Sequence, residues 1–282
     1  MKRAAFIHSE ALEKFRYPDE TPLSSERAAK TLQLVSDLGF INPDTQRVVP
    51  PEIPGRPELE RFHTPDYLDI LKKASDGIFD EAFLSMGLGT ADCPLFAGMY
   101  EYSAAACGAT LTGAELILAG DADVTFNPSG GYHHAGPDYA AGFCYMDDVV
   151  LGCMRLAANS RRVVYLDVDA HHCDAVQNAF YESPEIMTVS MHESGKTLYP
   201  GTGFENETGV GRGKGFCVNI PLPVGTYDEV WLRAFREVPL PLIRAFDPDV
   251  IVLQLGMDAL ALDPLAHLNL TNNAFADMLA KV

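Results

Sequence analysis

The sequence predicts one three-layer α/β domain with a mostly parallel central sheet flanked by helices. Two runs, VVYLDVD at 163–169 and VIVLQLG at 250–256, are apolar at nearly every position, as strands buried on both faces of a parallel sheet require. Short β-branched runs also alternate with longer helix-compatible stretches. No linker, repeat or low-complexity block interrupts the 282 residues, a length that supports one large domain.

In chain order, the candidate strands are Arg3–His8, Asp123–Asn127, Arg162–Asp169, Ile186–His192, Phe216–Pro221 and Val250–Leu255. Each is a short run rich in β-branched or aromatic residues. The stretches Pro94–Ala119, Phe143–Asn159, Cys173–Tyr181 and Tyr227–Ala245 carry helix-compatible patterning between them.

Composition narrows the function. Lys and Arg number 21 against 39 Asp and Glu, so the net charge is 21 − 39 = −18. That disfavours nucleic acid as the main partner and suits a cation or a cationic peptide. Hydrophobic residues make up 47% and mean hydropathy is about zero, yet no apolar run approaches the roughly 18–20 residues of a membrane span. The opening MKRAAFIHSEALEKF loses its apolar character at His8, Ser9 and Glu10, which reads as no signal peptide and a cytoplasmic protein with no membrane partner. The six cysteines, Cys93, Cys107, Cys144, Cys153, Cys173 and Cys217, form no CxxC pair and are expected as reduced, mostly buried thiols.

The chemically loaded residues follow directly after strands. GGYHHAG follows the strand ending near Asn127, DVDAHHCD closes the next, and Gln254–Asp258 closes VIVLQLGMD. Open α/β sheets bind ligands at the carboxyl ends of their strands, so these segments are expected along one edge. Asp167, Asp169 and His171 are spaced two apart, which in extended chain puts them on one side and His172 on the other. A polar strand end followed by a capped helix would give the same string. Asp258, directly after a buried strand, tips the balance. With Asp169 and His171 it offers two oxygens and a nitrogen to one divalent ion, leaving a position open as in catalytic sites. Zinc suits this mixed set, and Fe2+ or Co2+ would also fit. His133 and His134, in a glycine-flanked loop, can take a proton from water attacking a carbonyl. Asp167 and Asp174 are the unassigned acids available to orient them.

Six segments taken in order, GGYHHAG, GFCYMDD, YLDVDAHHCDAVQNAFYE, SMHESGKTLYPGTG, GRGKGFCVNIPLP and QLGMDALALDPLAHLNLT, resemble the histone deacetylase superfamily, most of all its bacterial acetoin-utilisation branch. The likeness runs from the N-terminus almost to residue 282. It implies the arginase–deacetylase fold and zinc-dependent hydrolysis of acetyl-lysine amides, in a protein, a peptide or a small acylated amine. By resemblance, Asp169, His171 and Asp258 match the metal ligands, and His133 and His134 match the tandem histidines with Asp167 and Asp174 as partners. Gly142, Phe143 and Tyr199 match the walls of the acyl-lysine tunnel, and Asp92 matches the rim acid that grips the substrate backbone. Leu265 matches a gate that is apolar in lysine deacetylases and acidic in polyamine-selective relatives, favouring protein lysine. Potassium is implied at the backbone oxygens of Asp167, Asp169 and His171 with Ser190 and Met191. A second potassium site is implied at Phe180, Ser183, Ile186 and Phe216.

Two departures stand out. Cys173 and Ala175 occupy expected glycines, and a residue needing φ > 0 there would lose roughly 1 kcal/mol. No GGGY-type segment occurs in the sequence, so the late strand region and its oxyanion-binding tyrosine are expected to be missing; losing one such donor typically lowers the rate by about 10²–10³. Three readings stay open: a C-terminally truncated, weakened hydrolase, an enzyme using a substitute donor, or an acyl-lysine or metal-binding module without turnover. An uncovered sheet edge would also favour a homo-oligomer. An arginase-like ureohydrolase is a fourth reading, to be recognised by two manganese ions per chain in place of one zinc.

Overall fold

The computed structural model describes residues 2–18, 21–42, 44–159 and 161–282. The chain divides into two compact units, one ending at Arg155 and one beginning at Leu156.

In the first unit, β1 (Ala4–Ile7) is followed by α1 (Glu26–Asp37), β2 (Gln46–Val49), α2 (Arg56–Leu59) and α3 (Pro65–Ser75). Then come α4 (Met99–Leu118), β3 (Val124–Phe126) and α5 (Asp148–Ala158), whose last residues, from Leu156, belong to the second unit. The three strands pair in parallel in the order β2-β1-β3. Thr64 caps α3 by accepting from the Tyr67 N–H, and Pro65 supplies the preset first turn. The small residues Ala104–Cys107 and Ala109 let α4 run through the middle of the core. Tyr67, Leu68 and Leu71 of α3 join α4 residues there.

In the second unit, β4 (Val163–Asp167), α6 (Asp174–Ala179), β5 (Ile186–Glu193) and β6 (Cys217–Leu222) precede α7 (Asp228–Glu237) and α8 (Pro239–Phe246). The order ends with β7 (Val250–Gln254) and α9 (Asn272–Leu279). The sheet is parallel throughout, in the order β6-β5-β4-β7. Side-chain alternation gives β4 and β5 two different faces. Val164, Leu166, Met187, Val189 and Met191 join a core with Trp231 and Phe235 of α7, Ile243 and Phe246 of α8, and Phe275 and Met278 of α9. The alternate positions carry Tyr165, Asp167, Thr188, Ser190 and His192, equally buried but polar. The sheet thus has an oily side and a side fit for hydrogen-bond chemistry.

Every expected strand overlaps an observed one, and β2, which pairs QRVV with β1, is an addition. The stretch Tyr227–Ala245 is two helices, because Pro239 opens a new one and Val238 between them leaves helical geometry (φ −122°, ψ −70°). Those expected over 94–119 and 143–159 begin later, at Met99 and Asp148. No helix among the described residues is long and apolar enough to cross a membrane. All six cysteines are free and buried.

Candidate metal centre and histidine loop

The expected ligands converge. Strand β4 ends at Asp167, and the next residues turn so that ligand atoms of Asp169 and His171 meet those of Asp258, all within 4.8 Å of one another. His171 Nδ1 lies 2.7 Å from Asp258 Oδ2 and 3.1 Å from Asp169 Oδ1. The backbone N–H of Ala170 donates to Asp258 Oδ1 at 2.9 Å, and that of His171 donates to Asp169 Oδ1 at 2.8 Å. Gly256 permits the closeness, since a Cβ there would fall 2.1 Å from Asp169 Oδ2. The three side chains remain 13–15% exposed, so the cluster is open to a solute.

Two carboxylates this close call for positive charge. Burial pushes Asp258 up, and the neighbouring Asp169 charge adds to it, to about 6. Burial pulls the His171 imidazole down, but its hydrogen bonds to Asp169 and Asp258 outweigh that and lift it to about 10. Two carboxylate oxygens and an imidazole nitrogen converging within 4.8 Å are a donor set matched to a divalent cation. The residues therefore fit the implied ion.

The surroundings hold this geometry. Tyr165 donates to Asp167 Oδ2, while Asp167 Oδ1 accepts from the Asp169 N–H at 2.9 Å. In register, Asp167 faces Ser190 across the β4–β5 pair, and the Ser190 hydroxyl bonds His192 Nδ1 at 2.8 Å. His172 turns to a different set of partners, with Nδ1 2.8 Å from Thr202 Oγ1 and Nε2 3.1 Å from Gln177 Oε1. Asp174 opens α6, where its charge acts on His172. Cys173 has φ −76° and Ala175 lies inside α6, so neither position carries the strain expected if glycine were required. Tyr199 is 43% exposed, with its ring 6.4 Å from that of His171. The Leu265 N–H donates to Asp263 Oδ1 at 2.9 Å within the segment that follows Asp258. Two carbonyls in the expected second potassium set, Phe180 and Phe216, already accept from the Ser183 and Thr188 N–H groups, which leaves each one lone pair.

The first unit holds the remaining candidates. His133 and His134 are both buried, their rings 4.1 Å apart at 57°. Gly142 sits against His134, where a Cβ would lie 2.3 Å from Cδ2, and has φ +54°. Phe143 beside it adopts φ +63°, a conformation that costs a side chain about 1 kcal/mol. Asp92 fixes both residues, its Oδ2 accepting from the Gly142 N–H at 2.7 Å and its carbonyl from the Phe143 N–H at 3.1 Å.

Sequence reasoning passed over two residues. His63 is buried beside the histidine loop, its Nδ1 bonded to the Gly136 carbonyl and its Nε2 accepting from the Asp147 N–H, both at 3.0 Å. Glu193, fully buried at the end of β5, binds His267. The bonded pairs are separated by 73, 84 and 74 residues, so no local spacing announces them.

Residues 21–282 match the histone deacetylase domain family. The chain is 38% identical over 280 residues to the acetoin utilization protein AcuC of Bacillus subtilis (strain 168), covering 99% of this chain and 72% of that protein. It is 40% identical over 247 residues to histone deacetylase 8 of Xenopus tropicalis, covering 87% of this chain and 66% of the relative. A crystal structure of an HDAC homolog from Aquifex aeolicus superposes with a TM-score of 0.90 at 34% identity, covering 99% of this chain and 75% of that one. An HDAC homolog complexed with SAHA gives 0.91 at the same identity and coverage.

Proposed function

The chain belongs to the histone deacetylase family, and on that premise we propose that it hydrolyses acetyl-lysine amides at one zinc ion held by Asp169, His171 and Asp258. The convergence of these three ligand atoms within 4.8 Å carries the reading. The family match runs through both units, which supports treating residues 1–282 as one deacetylase domain. The chain spans 72% of AcuC and 66% of histone deacetylase 8 of Xenopus tropicalis.

Held by Asp169, His171 and Asp258, a zinc ion would supply Lewis acidity toward the amide carbonyl and the attacking water. The chain's own residues do the rest. Neutral imidazole at His134, with His133 beside it, takes the proton of the attacking water and returns one to the departing amine. Asp167 and Asp174 are assigned as the carboxylates that orient these rings. Gly142, Phe143 and Tyr199 would wall the acyl-lysine side chain, and Asp92 would hold the substrate backbone. Asp92 is suited to that role because one oxygen is already anchored to the Gly142 N–H and keeps the carboxylate still. Leu265, being apolar, would leave the entrance without an acid to attract a second amine, favouring acetylated protein or peptide over acylated polyamine. Potassium at Asp167, Asp169, His171, Ser190 and Met191 is supported by the register that faces Ser190 to Asp167. The second set, Phe180, Ser183, Ile186 and Phe216, rests on resemblance. Kinship to bacterial AcuC supports a cytoplasmic protein.

The test is turnover of an acetyl-lysine peptide by zinc-loaded protein, wild type against His134→Ala, with bound metal counted in both. One zinc per chain and turnover that His134→Ala removes are expected. Two metal ions per chain, or equal rates for the two proteins, would overturn the assignment.

A further inference from the structure

The segment from Ala259 to Leu270 leaves the ligand Asp258 and returns on itself. Its two ends close on each other through backbone bonds, Ala261 N–H to the Leu270 carbonyl at 2.8 Å and Leu270 N–H to the Ala259 carbonyl at 3.1 Å. The returning limb is also pinned from outside, because Gly225 and Asn269 N–H groups bond the His267 and Thr226 carbonyls at 2.9 Å each. Among the described residues, the tip at 262–265 has no such tie of its own. Asp263 bonds inward, to Leu260 and Leu265. Leu262 at the tip is 99% exposed and holds φ +75°, so neither burial nor backbone preference fixes the tip in place.

One residue reaches the base of this tip from the sheet. Both carboxylate oxygens of the fully buried Glu193 are taken by His267, Oε2 by its backbone N–H at 2.7 Å and Oε1 by its Nδ1 at 3.0 Å. The backbone N–H of the same Glu193 donates to the Ala170 carbonyl at 2.9 Å. Ala170 lies between the ligands Asp169 and His171, and its own N–H holds the third ligand, Asp258. Glu193 therefore joins the ligand turn to the tip loop through bonds on both its backbone and its side chain. A carboxylate buried this completely is costly unless both oxygens are satisfied in fixed geometry. Such a bond pair is rigid and well suited to setting the height of a loop.

We propose that Glu193, through His267, is a positioning residue that fixes the 262–265 tip relative to the ligand turn and so sets how an acylated peptide is received at Leu265 and Leu262. The proposal rests on the hydrolase reading for its substrate and on the hydrogen-bond pattern for its clamp. Glu193→Gln can preserve that pattern, since the amide oxygen would accept from the backbone N–H of His267 while the amide NH₂ donates to Nδ1 of the other His267 tautomer.

Hydrogen–deuterium exchange on the zinc-loaded full chain, without peptide, tests the clamp in Glu193→Ala, Glu193→Gln and His267→Ala. Exchange over 259–270 should speed up by about tenfold or more in Glu193→Ala, by less in His267→Ala, and little in Glu193→Gln, with β4 to β7 unchanged. In parallel, KM for an acetyl-lysine peptide should rise by about tenfold in Glu193→Ala with kcat within about twofold, and recover in Glu193→Gln. Wild-type exchange in both Glu193→Ala and His267→Ala, or faster exchange spread evenly through β4 to β7, would overturn the clamp. A loosened loop with unchanged KM would overturn its role in substrate reception. Should Glu193→Ala not fold, His267→Ala, whose side chain is 60% exposed, carries both measurements. Absence of turnover in the wild type would sink the hydrolase reading while leaving the exchange result to decide the clamp.

Discussion

The histidine loop of the first unit and the 259–270 loop of the second are both fixed by a buried titratable side chain brought from far along the chain. In the first unit the fixing group is His63, whose ring donates from Nδ1 to the Gly136 carbonyl and accepts at Nε2 from the Asp147 N–H. Both ring nitrogens are satisfied only if the imidazole is neutral, and burial holds its pKa down to about 4. In the second unit the fixing group is Glu193, whose two oxygens accept from His267. One loop is set by a neutral ring that loses a bond on gaining a proton, and the other by a pure acceptor. The difference lies in what each clamp offers: His63 presents one donor and one acceptor, Glu193 two acceptors.

The comparison is sharpened most by separating the two chemistries. His134→Ala should lower kcat by about 10²–10⁴ while leaving one bound zinc per chain, read by turnover and metal analysis on the same sample. Asp258→Asn should weaken zinc by more than about 100-fold, beyond what losing an outer-sphere partner does, and leave exchange in the 130–147 loop as in the wild type. Metal retained in Asp258→Asn would break the division of labour between the units. A smaller effect tests the neutral clamp. An unfolded histidine titrates near 6.5 and folded His63 near 4, so the unfolded state binds the extra proton between those values. His63 therefore contributes no penalty above about pH 6.5 and costs about 3 kcal/mol as the pH falls through that window. His63→Gln, which can keep both hydrogen bonds, should flatten the denaturation midpoint between pH 6.5 and 4. An unchanged slope would show that another group carries it. Smallest is Leu262→Gly, which should stabilise the second unit by about 1 kcal/mol by relieving a left-handed leucine that buries nothing.

Legibility in the sequence followed burial. β4 and β7 announced themselves because VVYLD and VIVLQ are apolar on both faces, whereas β2 reads QRVV with Arg47 and Val48 exposed and looks like loop. α3 carried a start signal in Thr64-Pro65, but its buried residues Tyr67, Leu68 and Leu71 reach a core built from distant segments. Pro239 in the 227–245 stretch was the sign that one helix would be two. At the centre, Asp169 and His171 were found by their spacing and Asp258 by its place after a buried strand. Glu193 and His63 carry no such mark. An acid ending IMTVSMHE and a histidine before Thr-Pro read as ordinary caps, and only the folded chain brings each to its partner.

The single tryptophan, Trp231, lies fully buried in the second unit, stacked on Phe235 at 6.1 Å, with its indole N–H lacking a partner among the described residues. Its emission is therefore an optical channel for residues 156–282 alone. Among the described residues, the first unit holds the buried tyrosines Tyr17, Tyr67, Tyr102, Tyr132 and Tyr145 and no indole, against Tyr165 alone buried in the second. Tryptophan fluorescence and near-ultraviolet tyrosine dichroism can thus time the opening of the two units separately, in one cuvette and without a label.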